Sequence, residues 1–222
     1  MISETPENTV KKKPVRLIPF PLSGGIMQKF VVAMVFIVSF FVMAPDLAFS
    51  QDNADDTRRG LLAQIGLGPA YPQYPSDIES ELTYLDSIPG IDRTKLSLDL
   101  ELGFPIERNL YIMAGIMGSA DRLEGPGGWM QINLYLYALG LRGYLGGLYA
   151  EALAGSSKAV IDTSWGSYAS STSSFGYGGA LGYDFFPKHH GVSLSLEARY
   201  NVFNIEGTEV GDFMFLLNLL YK

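Results

Sequence analysis

Lys95-Leu96-Ser97-Leu98-Asp99-Leu100-Glu101-Leu102-Gly103-Phe104 is a run in which every even position is apolar and every odd one is polar or small. Successive side chains of an extended strand point to opposite faces, so this stretch has one oily face and one carrying Lys95, Asp99 and Glu101. The same grammar runs through residues 192–202 and 130–138. The same alternation recurs in residues 61–68, 148–153 and 175–185, and the weakest members are 110–117, apolar on both faces, and 213–221, where only Asn218 is polar. Together these predict eight strands, at residues 60–68, 94–104, 109–118, 129–144, 148–160, 174–185, 191–203 and 212–221.

Alternation alone also suits a soluble sandwich with its apolar face inward. Length argues otherwise: the strong runs are near the ~9–11 residues that a tilted strand needs to cross hydrocarbon, against about five or six in globular sheets. Aromatics stand at or near the ends of most runs, among them Phe104, Tyr111, Trp129, Tyr144, Phe185, Phe203 and Tyr221, as interfacial girdles require. The connections take turns between long (residues 69–93, 119–128, 161–173, 204–211) and short (105–108, 146–147, 186–190). That is the pattern of an up-and-down transmembrane barrel with long loops at one end. Lipid gives backbone amides no partner, so such a sheet must close and leave no edge.

Composition narrows the rest. The chain has 222 residues, 47% hydrophobic and 18% charged, with no Cys and two adjacent His. Extended disorder, thiolate metal sites, disulfide frameworks and cysteine nucleophiles are excluded. The apolar run at residues 30–44, preceded by Lys29 and followed by Ala48-Phe49-Ser50, reads as a cleaved signal peptide at 27–50. It is too short to span a bilayer as a helix. Residues 1–26 are an N-terminal extension or a start assigned too early, residues 51–59 a periplasmic lead-in, and 60–222 the barrel. After Ser50 there are 20 acidic and 11 basic residues, a balance that argues against a nucleic-acid partner.

With the signal peptide, the eight alternating runs, the unequal loops and the amphipathic last strand in place, the sequence resembles the small eight-stranded outer-membrane barrels, such as the OmpA membrane domain and OmpX. The resemblance covers about residues 60–222 and is architectural. In the last strand Phe213, Phe215, Leu217, Leu219 and Tyr221 hold the outward positions, but Lys222 follows where such chains commonly end in an aromatic. The resemblance implies an all-β, antiparallel transmembrane barrel in the bacterial outer membrane, in contact with lipid and lipopolysaccharide. It also implies the outer-membrane assembly machinery and periplasmic chaperones as transient partners.

Eight strands enclose a lumen that side chains can fill, too narrow for a general diffusion pore. Taking the polar phase as inward places Lys95, Asp99, Glu101, Gln131, Asn133, Tyr135, Tyr137, Glu151, Asp184, Glu197, Arg199, Asn201 and Asn218 inside. Of these, Lys95, Asp99, Glu101, Glu151, Asp184, Glu197 and Arg199 form the expected polar network, with Gly176, Gly178 and Gly182 leaving room for Tyr135, Tyr137 and Arg199. Arg142 falls on the outward phase of the fourth strand, near the periplasmic end, where it is expected either to snorkel or to follow a bulge at Gly140 or Gly143. The expected role of this plugged, monomeric barrel is structural or surface-interactive, with Tyr71, Tyr74 and Tyr84 of the first long loop as the contacts for an extracellular partner. The alternatives are a narrow ion or small-solute channel through that network and a lipid-modifying enzyme. The enzyme is disfavoured because His189 and His190 lie in a turn at the periplasmic end, away from Ser170, Ser171, Ser173 and Ser174. No catalytic residue, cofactor or metal is expected.

Overall fold

The computed structural model describes residues 60–107, 109–187 and 191–222. The signal peptide, the segments at 1–26 and 51–59, and His189 and His190 lie outside the described residues. Within them run β1 (Leu62–Gln73), α1 (Ser76–Asp86), β2 (Asp92–Glu107), β3 (Leu110–Gly125), β4 (Gly128–Leu145), β5 (Leu148–Thr163), β6 (Gly166–Ser170), β7 (Ser174–Asp184), β8 (Val192–Ile205) and β9 (Thr208–Tyr221). Each long strand pairs antiparallel with its sequence neighbour, β5 pairs with β7 past the short β6, and β1 pairs with β9. The eight long strands therefore close into a barrel. Closure satisfies the backbone of every strand and removes the edges that lipid forbids.

The phase read from Lys95 to Phe104 holds: Leu96, Leu98, Leu100, Leu102 and Phe104 are exposed on the outer wall, while Ser97, Asp99 and Glu101 are buried inside. Register carries this phase around the wall. Ile65 lies opposite Leu100, Leu100 opposite Ile116, Ile116 opposite Tyr137 and Tyr137 opposite Ser156 on the outside. Arg142 lies opposite Glu151, Glu151 opposite Ala180 and Ala180 opposite Arg199 on the inside.

β4 corrects the expected phase. Leu134, Leu136, Ala138, Arg142 and Tyr144 are buried, whereas Tyr137, Leu139 and Leu141 are exposed. Gln131, Asn133, Tyr135 and Tyr137 therefore belong to the outward row, and Arg142 points inward. The tight turn at 146–147 shows why: it pairs Leu145 with Leu148 and, in unbroken register, Arg142 with Glu151. Directly opposed residues share a face, so Glu151 cannot point in while Arg142 points out. No bulge interrupts β4 at Gly140 or Gly143. The glycines of β7 do make room, but for other side chains: a Cβ on Gly182 would lie 2.1 Å from Tyr149 Cζ, and one on Gly178 would lie 2.1 Å from Asn201 Oδ1.

The lumen is filled in three layers. Toward the end bearing α1, Met117, Leu134, Leu136, Leu153, Phe203, Val210, Met214 and Leu216 pack together with Ala138, and Tyr74 and Ile205 lie against them. Toward the end bearing the strand termini, Leu62, Tyr111, Met113, Tyr144, Tyr149 and Leu220 form a second cluster. Between them sits a layer of charge. The phase on β4 follows from this arrangement, because Leu134 and Leu136 gain more by joining the first cluster than Tyr135 and Tyr137 lose by facing outward. Tyr135 and Tyr137 stack on the outside, with centroids 6.5 Å apart.

The strands also run further than the alternation predicts, eleven to eighteen residues in the barrel. The segments at 119–128 and 204–211, expected as long loops, are mostly hairpin. β3 continues to Gly125, and β8 turns into β9 through Glu206 and Gly207, both at positive φ. The 69–93 segment holds the end of β1, all of α1 and the start of β2.

Candidate functional site

The charged side chains of the central layer come from four strands, and two more complete it. β2 contributes Asp99 and Glu101, β4 Arg142, β5 Glu151, and β8 Glu197 and Arg199; Gln64 of β1, Tyr149 of β5 and Asn218 of β9 complete it. All are closed to solvent. Arg142 donates from Nε to Glu151 Oε2 at 2.8 Å and from Nη1 to Gln64 Oε1 at 2.7 Å. Its Nη2 binds both Glu101 and Glu151, and its guanidinium carbon stands 4.6 Å from the Tyr149 ring centroid. Arg199 donates from Nε to Glu197 Oε1 at 2.6 Å, and its Nη2 is 2.8 Å from Glu101 Oε1 and 3.4 Å from Asp99 Oδ2. Glu197 Oε2 accepts from Tyr149 Oη at 2.7 Å, Asn218 Nδ2 at 3.2 Å and Gln64 Nε2 at 3.3 Å. Two planar forks, each holding more than one carboxylate, use the donor geometry that suits Arg to buried ion pairs.

Five of the seven residues expected in the lumen network meet here: Asp99, Glu101, Glu151, Glu197 and Arg199. The other two sit at opposite ends. Lys95 lies at the mouth, 3.9 Å from Glu79 of α1. Asp184 lies at the terminal end, where it binds Lys222 Nζ and accepts from Ser193 Oγ at 3.2 Å. Sequence reasoning misses Arg142, Gln64 and Tyr149. Arg142 has a usable signal in the turn that pairs it with Glu151; Gln64 is visible as the one polar side chain on the inward phase of β1.

The mouth is a second organised region. Arg93 Nη1 donates to Glu79 Oε1 at 3.0 Å, and its Nη2 reaches Asp121 Oδ2 at 2.6 Å, tying α1 to the wall of β3. These hydrogen bonds, the one to Asp121 foremost, push the Arg93 guanidinium up against the opposing effect of burial, so it stays charged. α1 presents Asp77, Glu79, Glu81 and Asp86 with no basic residue, and it buries Leu82. The three tyrosines expected as loop contacts separate. Tyr84 is 69% exposed on α1, whereas Tyr71 is on the outer wall of β1, edge-on to Phe215. Tyr74 packs into the first apolar layer, where burial and the nearby Asp121 and Asp212 push its phenol up. Tyr71 and Tyr74 are thus a girdle and a lumen residue rather than loop contacts.

Ser171 Oγ accepts from the Ala159 amide and Ser170 Oγ donates to the Ser171 carbonyl; no base stands beside either among the described residues. Nor do the described residues bring together three His, Cys, Asp or Glu able to hold a metal ion. A trough of about 960 Å³ lies against the outer wall, lined by Leu100, Ala114, Ile116, Leu139 and Ala154 among others. It belongs to the apolar belt rather than to any polar chemistry.

Neither a known protein family nor a curated protein matches the chain. Solved structures do. Ail, the attachment invasion locus protein of Yersinia pestis, in complex with the heparin analogue sucrose octasulfate, is similar over 72% of this chain and 99% of its own, at 13% identity and a TM-score of 0.50. Neisserial surface protein A matches over 73% of this chain and 96% of its own at 15% identity and a TM-score of 0.48. OprG of Pseudomonas aeruginosa matches over 77% and 99% at 10% identity and 0.38. The likeness to Ail shows the fold: this chain is an eight-stranded barrel of the small outer-membrane kind.

Proposed function

We propose that the protein sits in the bacterial outer membrane as a sealed, monomeric barrel and acts by presenting its α1-bearing end to a partner outside the cell. The observation that carries this reading is the layered lumen: apolar, charged, apolar, with α1 tied to the barrel wall at its mouth by Arg93. A solute would have to push aside both packed clusters and a ring of paired charges, each costly to disrupt. What remains for function is the outer end, where α1 offers carboxylates and the exposed Tyr84, and β6 begins beside the exposed Trp165. Aromatics among acids suit a partner with basic and apolar groups. No enzymatic role is proposed.

Two measurements test the two halves. In planar bilayers the folded protein is expected to be electrically silent; steady unitary conductance, altered by Glu197→Gln or Arg199→Gln, would establish a channel instead. Deleting residues 77–85 is expected to abolish adherence of expressing cells to host-cell or matrix surfaces while the barrel keeps its heat-modifiable migration. Unchanged adherence contradicts the display role.

A further inference from the structure

The charged layer is out of balance. Four carboxyl groups, Asp99, Glu101, Glu151 and Glu197, face two guanidinium groups, Arg142 and Arg199, and all six side chains are closed to solvent. With every acid ionised, the layer would hold two uncompensated negative charges between apolar layers, where isolated charge is expensive. The other strands bring nothing that neutralises them: β1 turns Gln64 toward the layer, β5 Tyr149 and β9 Asn218, while β3 and β7 supply Gly115 and Ala180.

Donors are shared unequally among the four acids. Glu197 receives Arg199 on one oxygen and Tyr149, Asn218 and Gln64 on the other. Glu101 lies between both guanidiniums. Asp99 is reached only at Oδ2, and its Oδ1 has no partner; Glu151 is reached only at Oε2, and its Oε1 has none. Asn201 Oδ1 and Asn218 Oδ1 are also without a donor, and Glu101 Oε1 has Arg199 Nη2 at 2.8 Å as an ion-pair partner but no hydrogen bond, against one leftover donor, Arg199 Nη1. The unmatched atoms are mostly acceptors, so the layer is short of protons, and a buried unmatched acceptor carries its full desolvation cost.

We propose that this layer is a proton-binding site: at neutral pH one proton resides on Asp99 and one on Glu151, leaving Glu101 and Glu197 ionised against Arg142 and Arg199. The layer is then neutral. Glu101 and Glu151 converge on the same Arg142 Nη2, so the proton on Glu151 sits next to the Glu101 carboxylate. Asp99 and Asn218 both flank Gly66, where a Cβ would lie 3.3 Å from Asp99 Cβ and 2.1 Å from Asn218 Oδ1, so the unmatched Asn218 acceptor lies on the same side of the layer as Asp99.

Infrared spectroscopy of the detergent-folded protein tests it through the C=O stretch of protonated carboxyls, which ionised ones lack. At pH 7 the wild type is expected to show this absorption. Asp99→Asn and Glu151→Gln, which mimic the neutral acids, each remove a share of it and still fold. Absence of the absorption in the wild type at pH 7 overturns the proposal and points to a bound cation as the compensating charge. Survival of the absorption in the Asp99→Asn/Glu151→Gln double variant overturns it as well, as does failure of both single variants to fold.

Discussion

Arg142 shows what one side chain does in this lumen. It is fully buried and holds Gln64, Glu101 and Glu151 at once. Replacing it with Leu strands two acids in an apolar setting, and a loss of roughly 3–5 kcal/mol is expected in urea unfolding of the folded barrel in vesicles. Arg142→Lys keeps the charge but not the fork, so it should fall between the two. A different physical limit applies at Gly182, where a Cβ would strike Tyr149. Gly182→Ala is expected to cost about 1–3 kcal/mol through overpacking. Adding Tyr149→Leu should relieve much of the clash, giving a double variant less destabilised than the two single effects combined; simple additivity in the same unfolding assay would contradict the contact.

At the scale of elements, α1 and the strand it is tied to behave as separable units. Arg93 bridges Glu79 and Asp121, so Arg93→Ala should release α1 to protease while leaving the barrel's heat-modifiable migration unchanged. Equal protease resistance in wild type and variant would show that the buried Leu82 alone holds the helix. The elements also show what the sequence makes legible. β2 and β8 are readable because their inward side chains are polar and their outward ones apolar, which is the contrast that alternation detects. β4 misleads for the opposite reason: its lumen side is lined by Leu134 and Leu136, while its outer wall carries Tyr135 and Tyr137. Polarity marks the inward face only where the lumen layer is itself polar. Pairing across the turn at 146–147 is a stronger constraint than polarity, since it fixes Arg142 from Glu151 without reference to either face. α1 is hidden within a stretch of Pro, Tyr and acidic residues whose short apolar set, Ile78, Leu82 and Leu85, has too few turns to stand out.

For the whole molecule, an outer wall of Leu, Ile, Phe and Tyr surrounds an interior packed in layers like a soluble core. Such an object folds stably only where acyl chains cover the wall. Stability then has two sources, the lipid outside and the packing inside, and the two are separable by variants on opposite faces of one strand. Leu98→Asp, which faces outward, should block insertion into vesicles, with no urea-stable, heat-modifiable form appearing. Ser97→Ala, on the inner face, removes a hydroxyl that donates to the Gly68 carbonyl at 3.0 Å and should insert normally, at a cost of about 1 kcal/mol.

Spin labels placed singly along β2 by Cys substitution at residues 96–101 read the direction of each side chain in vesicles. Labels at Leu96, Leu98 and Leu100 are expected to relax with dissolved oxygen, which concentrates among acyl chains, and to be shielded from a water-soluble nickel reagent. Labels at Ser97, Asp99 and Glu101 should respond weakly to both. The opposite alternation, with the leucine positions shielded from oxygen and the Asp99 and Glu101 positions open to nickel, would show that the oily wall faces inward and that this chain is no membrane barrel.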